Sequence, residues 1–352
     1  VLTADPGSGI MAGPSARDDA PLATREAERA RDGAPRSPRR FWLLLLLPLV
    51  VGGFVRIVCG ATDDVPTTDA TAYLRTGESV WNGDGYRREG EPELHFPPVI
   101  PVLLGGAEEL FGDPLTGSVV VMVITGTVLL IPLAGVGRVI GGDRAGLAAA
   151  WVGAFVPALT TVPANQGGGS EGPYVLLVVS ALWLALAAAR RAGGSRVAGA
   201  AGAGALTGLA YLTRPEGISY AAVFLPVLIL AGLGGWATVR DRTIAPRGLR
   251  NAAVLAVVFG LGLAVFVVPY VDYLHTYTGR WELTAKARDA SLDAWRAVAE
   301  HDRRARDEIF YALDDEGVEF VAGRATLAEL VKDDAAGYLG IIGVNVHTAA
   351  SE

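Results

Sequence analysis

An all-α, polytopic transmembrane helix bundle is the fold class this sequence predicts, on three observations. The chain of 352 residues is 51% hydrophobic and only 19% charged, and its mean hydropathy of +0.36 lies outside the habit of water-soluble domains. Its apolar residues come in runs of about 20, the length at which 1.5 Å per helical residue crosses a hydrocarbon layer of roughly 30 Å. Arginines collect on alternate connections between those runs, as they do when a chain crosses a membrane repeatedly.

Composition also removes function classes. The formal charge of −7 comes with arginines in short groups, not a basic face interleaved with aromatics, so no nucleic-acid partner is expected. A single cysteine, Cys59, excludes an internal disulfide, and four histidines without CxxC or HxxxH spacing argue against zinc.

Residues 1–40 are rich in Pro, Gly, Ala, Arg and Asp without an apolar period, which predicts a disordered cytoplasmic tail. FWLLLLLPLVVGGFVRIVCGA comes next. It lacks a small-x-small cleavage pattern, and the bulky Val58 before Cys59 does not suit a lipoprotein site, so residues 41–59 read as a retained anchor. Further spans are expected over about 116–137, 145–163, 173–190, 198–213, 217–234 and 252–274, about seven in all. Arg39 and Arg40, Arg138 and Arg144, Arg190, Arg191 and Arg196, and Arg240, Arg242, Arg247 and Arg250 then share one side, which is cytoplasmic. The opposite side receives a first outer loop of residues 60–115, the loop TVPANQGGGSEGP, the turn LTRPEG and everything after about residue 275.

FPPVIPVLLGGAEELFG, residues 96–112, is too short to span and closes on Glu108 and Glu109, so an interfacial or re-entrant helix is expected there. Residues 198–208, AGAAGAGALTG, are a small-residue surface for close helix packing. Residues 276–352 turn charged, with Leu292, Trp295, Ala299, Ile309, Phe310 and Leu313 at roughly helical intervals, which predicts extracytoplasmic amphipathic helices. The region is expected to sit beside a transmembrane module over 41–275.

The outer side thereby gathers Asp69, Tyr73, Arg75, His95, Glu171, Arg214 and Glu216. Ionisable groups at the rim of an apolar bundle are expensive to desolvate and line a cavity or pair with one another.

With TTDATAYLRTGESV, HFPPVIPVLLGGAEELFG, SEGPYVLLVVSALWLAL and GALTGLAYLTRPEG in that order after Arg56, the chain resembles the GT-C superfamily of membrane glycosyltransferases. The likeness covers about residues 41–235 and points to the dolichyl-phosphate-mannose protein mannosyltransferase-like and RgtA-like branch, of the glycosyltransferase family 39 type. The resemblance implies a bundle whose first outer loop carries the catalytic acid. It also implies transfer of a sugar from a polyprenyl-phosphate-linked donor to an extracytoplasmic acceptor (protein, lipid or polysaccharide), with inversion, in contact with membrane lipid. Asp69 matches the first-loop aspartate, and Glu171 stands where the second outer loop contributes another acid. Two departures stand out: His95 and Phe96 precede the paired prolines where some relatives have a phosphate-holding lysine, and the family continues through further spans where this chain ends at VNVHTAASE. The second departure raises a product truncated before those spans.

Read as chemistry, Asp69 is the general base for the acceptor hydroxyl, in a partly dehydrated cleft; alternatively it caps a helix beginning at Ala70. Arg56 and Arg214 are the candidate phosphate contacts. Snorkelling is the alternative for Arg56, and a surface pair with Glu216 the alternative for Arg214. His95 stands in for the lysine or is structural. Glu171 orients the acceptor or simply meets a helix dipole before Pro173, and Tyr73 binds substrate or anchors its helix at the interface. No cofactor or metal is expected, although a divalent ion between Asp69 and Glu171 stays open on donor chemistry. A transporter is the rival reading from another class, disfavoured because ionisable groups sit at the rim and no repeated halves are visible; a noncatalytic scaffold is the other. The expected location is a bacterial plasma membrane with the site facing outward.

Overall fold

The computed structural model of the chain describes residues 38–60, 68–164, 169–235, 246–285, 311–314, 317–320, 332, 335–337, 339, 340 and 343. The tail expected over 1–40 lies outside the described residues except at 38–40, as does the helical pattern expected over 286–310. The chain divides into two compact units, Val1–Leu44 and Leu45–Glu352. Of the first, only the start of helix α1 (Pro38–Gly60) is described; the loops and helices that build the site belong to the second.

After α1, the first loop holds helix α2 (Thr68–Trp81), a short antiparallel hairpin of β1 (Arg87–Arg88) and β2 (Glu91–Pro92), and helix α3 (Val99–Phe111). Paired prolines at 97 and 98 set the start of α3, and Gly112 ends it in the left-handed region at φ 70°, a conformation glycine adopts without steric cost. Thirteen residues reach only about 20 Å as a helix, so α3 falls short of spanning, in line with its composition. It packs on α2 at a glycine crossing: a Cβ on Gly77 would lie 2.4 Å from the Pro101 carbonyl oxygen.

Helix α4 (Pro114–Val128) begins with Pro114 in its first turn and the Asp113 carboxylate accepting the Thr116 N–H at 2.7 Å, a standard start for a helix. Helix α5 (Leu130–Phe155) reverses at Gly141 and Gly142, whose φ values are −132° and 79°. Its two arms lie against each other, with Gly137 against Ala145 and Ala149, and Gly153 against Leu133 and Leu130. Helices α6 (Pro157–Ala164), α7 (Glu171–Arg190) and α8 (Gly194–Tyr211) come next. A 3₁₀ turn (Pro215–Tyr220), α9 (Ala221–Leu233) and α10 (Pro246–Thr278) complete the bundle.

Five helical stretches among the described residues are long and apolar enough to cross a membrane, where the sequence suggests about seven. Two of the expected spans share one 42-residue stretch, Pro114–Phe155, which turns back on itself at the non-helical Gly141 and Gly142. The span expected over 198–213 is α8, whose glycines dilute its hydropathy. It is nonetheless among the best-packed helices, with Ala200, Ala203 and Ala210 fully buried.

The small residues of α8 let backbones approach. A Cβ on Gly204 would fall 2.0 Å from the Phe259 carbonyl oxygen of α10, one on Gly262 would fall 2.3 Å from that of Ala201, and Gly199 sits on Ala188 of α7. Around this seam Phe224, Leu228, Leu255 and Phe259 form the main apolar core.

Beyond residue 285 the described chain includes an antiparallel strand pair, β3 (Tyr311–Asp314) with β4 (Gly317–Phe320), where amphipathic helix is expected around Leu313. Gly317 interrupts the helical spacing, and Val318 and Phe320 alternate with Gly317 and Glu319, a period of two that suits a strand.

A Gly204→Val substitution forces α8 off α10 and should cost upwards of about 2 kcal/mol, seen as a lower melting temperature in detergent. Gly260→Ala, with nothing within 4 Å of its Cβ position, should leave it unchanged or slightly raised.

Candidate functional site

The site forms where α7 begins and α8 ends. Proline at 215 biases Arg214 to extended backbone, and it adopts φ −146°, ψ 132°. The turn then folds back so tightly that a Cβ on Gly217 would lie 2.5 Å from the Ala210 carbonyl carbon. This geometry aims the Arg214 side chain across to α7. Its Nη1 donates to Glu171 Oε1 at 2.8 Å and to Ser170 Oγ at 3.3 Å. Its Nε lies 3.8 Å from Glu216 Oε2, and the guanidinium stands 5.7 Å from the centre of the Tyr174 ring. Burial alone would make Arg214 easier to deprotonate, but the carboxylates of Glu171 and then Glu216 outweigh it and raise its pKa. Glu171 lies in the first turn of α7, where a carboxylate also meets the positive end of the helix; its second oxygen, Oε2, is buried with no hydrogen-bond partner among the described residues.

From the first loop, Tyr73 reaches the same place. It is 5% exposed, packs edge-on against Phe96 at 4.7 Å between ring centres, and its hydroxyl pairs with the Ser170 side chain. Burial first, and the neighbouring Asp69 charge next, push the phenol well above the usual tyrosine range, so it stays protonated at neutral pH. Asp69 lies in the first turn of α2, one turn before Tyr73, and is exposed. The dehydrated setting expected for it is not what the structure has, because the first turn of α2 presents this carboxylate to solvent.

The structure thus brings Tyr73, Glu171, Arg214 and Glu216 together, adds Ser170 and Tyr174, and places Asp69 beside Tyr73 on α2. His95 packs against Phe96 at 4.5 Å between ring centres, the same ring that Tyr73 meets. Arg75 is paired instead with Glu89 on the hairpin.

Arg56 is not in this group, which corrects its expected place at the phosphate. It is 1% exposed inside the bundle. Its Nη1 donates to the Gly52 carbonyl at 2.9 Å, and its Nη2 to those of Gly153 at 3.1 Å and Leu159 at 2.8 Å. Gly153 and Leu159 each stand four residues before a proline, Pro157 and Pro163, so their carbonyls have no N–H to accept from. The guanidinium supplies those donors. Two prolines six residues apart in an apolar run were the available sequence signal.

Glu93 is absent from the residues that sequence reasoning singles out. Its side chain is 1% exposed and ion-pairs with Arg88 Nε at 3.0 Å. It accepts the backbone N–H groups of His95 and Phe96 at 2.7 and 3.1 Å and lies 3.4 Å from Thr76 Oγ1 on α2. The loop is further held by tyrosines: Tyr86 donates to the Phe96 carbonyl at 2.6 Å, Tyr273 of α10 to those of Glu93 and Tyr86 at 3.0 and 3.2 Å, and the Val99 N–H to the Leu212 carbonyl at 3.0 Å. Among the described residues, no group of three His, Cys, Asp or Glu is placed to hold a metal ion.

Residues 95–261 match the family model described as dolichyl-phosphate-mannose-protein mannosyltransferase. That region holds His95, Glu171, Arg214 and Glu216 and begins after Asp69 and Tyr73. Among solved structures, the apo form of the Archaeoglobus fulgidus oligosaccharyltransferase superposes with a TM-score of 0.53 at 20% identity, covering 67% of this chain and 30% of that one. Its complex with Zn and sulfate gives a TM-score of 0.52 at 19% identity, covering 76% and 38%. No curated protein matches. The chain spans about a third of the length of these structures, and at such identities the likeness is one of fold. The family match thus covers a little under half of the chain, and the solved structures add a likeness of fold.

Removing the Glu93 carboxylate leaves the two backbone amides without their buried acceptor and the part-exposed Arg88 without its ion pair, a loss of about 2–4 kcal/mol. Glu93→Ala should therefore expose the first loop to trypsin at Arg87 and Arg88, measured as faster limited proteolysis, while Tyr73→Phe, losing one hydrogen bond, should cleave at close to the native rate.

Proposed function

We propose that the chain transfers a sugar from a polyprenyl-phosphate carrier to an extracytoplasmic acceptor, with inversion at the anomeric carbon. The observation that carries this reading is that Tyr73, one helical turn after Asp69 on the first loop, reaches Ser170 beside the Arg214–Glu171 pair at one end of an apolar bundle. Such an end lets a lipid tail remain between helices while its phosphate meets a cation and an acceptor arrives through water.

In this reading Arg214 holds the donor phosphate through charge-assisted hydrogen bonds. Asp69 takes the proton of the acceptor hydroxyl as its oxygen attacks the anomeric carbon. The bond from that carbon to the phosphate oxygen breaks on the opposite face, and the carrier phosphate leaves with the electron pair, balanced by Arg214. Tyr73, kept protonated, donates a hydrogen bond to substrate, Glu171 accepts from sugar or acceptor hydroxyls, and Glu216 trims the charge on Arg214. His95 contributes a further donor at the phosphate side. The arginine distribution among the connections supports an outward-facing site in a bacterial plasma membrane.

The donor set also supports a reaction without a divalent ion. One A. fulgidus structure is a complex with Zn and sulfate, but in this chain, before donor binds, Glu171 faces a guanidinium at 2.8 Å, and a resident cation there would have to displace that charge. Turnover should be unaffected by EDTA; abolition by the chelator with recovery on adding back a divalent ion would reverse this.

Membranes containing the full chain, supplied with a polyprenyl-phosphate sugar and an acceptor, should lose at least about a hundredfold in rate on Asp69→Asn. An Asp69→Asn variant as active as the native chain removes Asp69 from the chemistry, and an inactive native chain across donors removes the enzyme reading in favour of a scaffold.

A further inference from the structure

The geometry points to an exchange of partners at Arg214: the donor phosphate displaces Glu171 from the guanidinium, and the freed carboxylate then accepts from sugar or acceptor hydroxyls. This rests on the reading of Arg214 as the phosphate contact.

Three features carry it. First, Arg214 is only half used. Nη1 serves both Glu171 and Ser170, Nε meets Glu216 at 3.8 Å, which is beyond hydrogen-bond range, and among the described residues Nη2 donates to nothing. A guanidinium has five N–H groups arranged for two oxygens of one anion, so a fork lies open beside the ion pair. Second, the pair is a half-exposed one, 35% and 32% for the two side chains, so solvent weakens it, and the donor phosphodiester, whose two free oxygens suit the open fork, can take the place of the carboxylate; the doubly charged carrier phosphate left after transfer is held more strongly still. Third, Glu171 Oε2 is buried and unpartnered among the described residues, an acceptor in a place where a hydroxyl is worth more than in water. In the absence of donor, Glu171 thus neutralises the cation. With donor bound, the same carboxylate turns to the sugar side, so that donor capture and acceptor orientation are linked through one side chain.

The linkage makes an unusual demand: removing the Glu171 charge must tighten binding of the lipid phosphate while impairing turnover. A short-chain polyprenyl phosphate, the carrier without its sugar, is titrated into the full chain in detergent, with the matching polyprenol as the uncharged control. Glu171→Gln should bind the phosphate about three- to tenfold tighter than the native chain, Arg214→Gln at least about tenfold more weakly, and neither should change polyprenol binding. Because Glu171 acts through Arg214, the Glu171→Gln change should have no effect in the Arg214→Gln background, which a double-mutant cycle reads directly. Glu171→Ala, which also removes the charge, serves as a second test should the glutamine variant not fold. If both Glu171 variants bind no tighter while Arg214→Gln weakens binding, the exchange is wrong and the phosphate contact stands. If Arg214→Gln leaves the affinity unchanged, the phosphate contact itself is wrong and the exchange goes with it.

Discussion

Close approach of helix backbones at α8 is the constraint on which the site depends. In an apolar medium there is little hydrophobic gain from bringing helices together, so packing and small residues decide where they touch. Gly199 and Gly202 seat α8 against α7, and Gly204 and Gly208 seat it against α10. Since α7 and α8 run in opposite directions, the first residue of one and the end of the other meet, and Glu171 and Arg214 come within 2.8 Å. Bulkier residues along α8 would part that ion pair without touching it.

Backbone groups must also find partners where water is scarce. Pro157 starts a new helix after Phe155 and Pro163 lies near that helix's end; each orphans a carbonyl four residues before it, and Arg56 answers both with a single Nη2. Its positive charge is met by the partial charges of three carbonyls in place of a carboxylate. In the first loop Glu93 does the converse, collecting N–H groups, while the hydroxyls of Tyr86 and Tyr273 reach inward to carbonyls of the 86–96 segment. The loop is therefore fixed to α10 by groups that would otherwise be costly to bury, and this fixes α2, with Asp69 and Tyr73, over the mouth of α7.

Much of the site was legible because charge is rare in an apolar chain. Asp69, Glu171 and Arg214 stand out where neighbours are Ala, Leu and Gly, and arginine sidedness puts them on one face. Arg56 stood out for the same reason and was misplaced, since proximity to a span end does not reveal whether a guanidinium points to headgroups or to carbonyls. Glu93 did not stand out at all, lying among the charged residues of a polar loop. Ser170 and Tyr174 carry no signal in composition; only the direction of Arg214 selects them.

By itself the sequence determined an apolar, helical, membrane-spanning chain, its glycine-rich packing helix and the side of the bundle on which the acids gather, because hydropathy, spacing and loop charge act locally along the chain. Which of those charges face one another was decided only by tertiary structure. A glycine seam sets the distance between helices, a proline turn sets the direction of Arg214, and a buried carboxylate sets the position of the loop that carries Asp69, and each of these depends on partners distant in sequence.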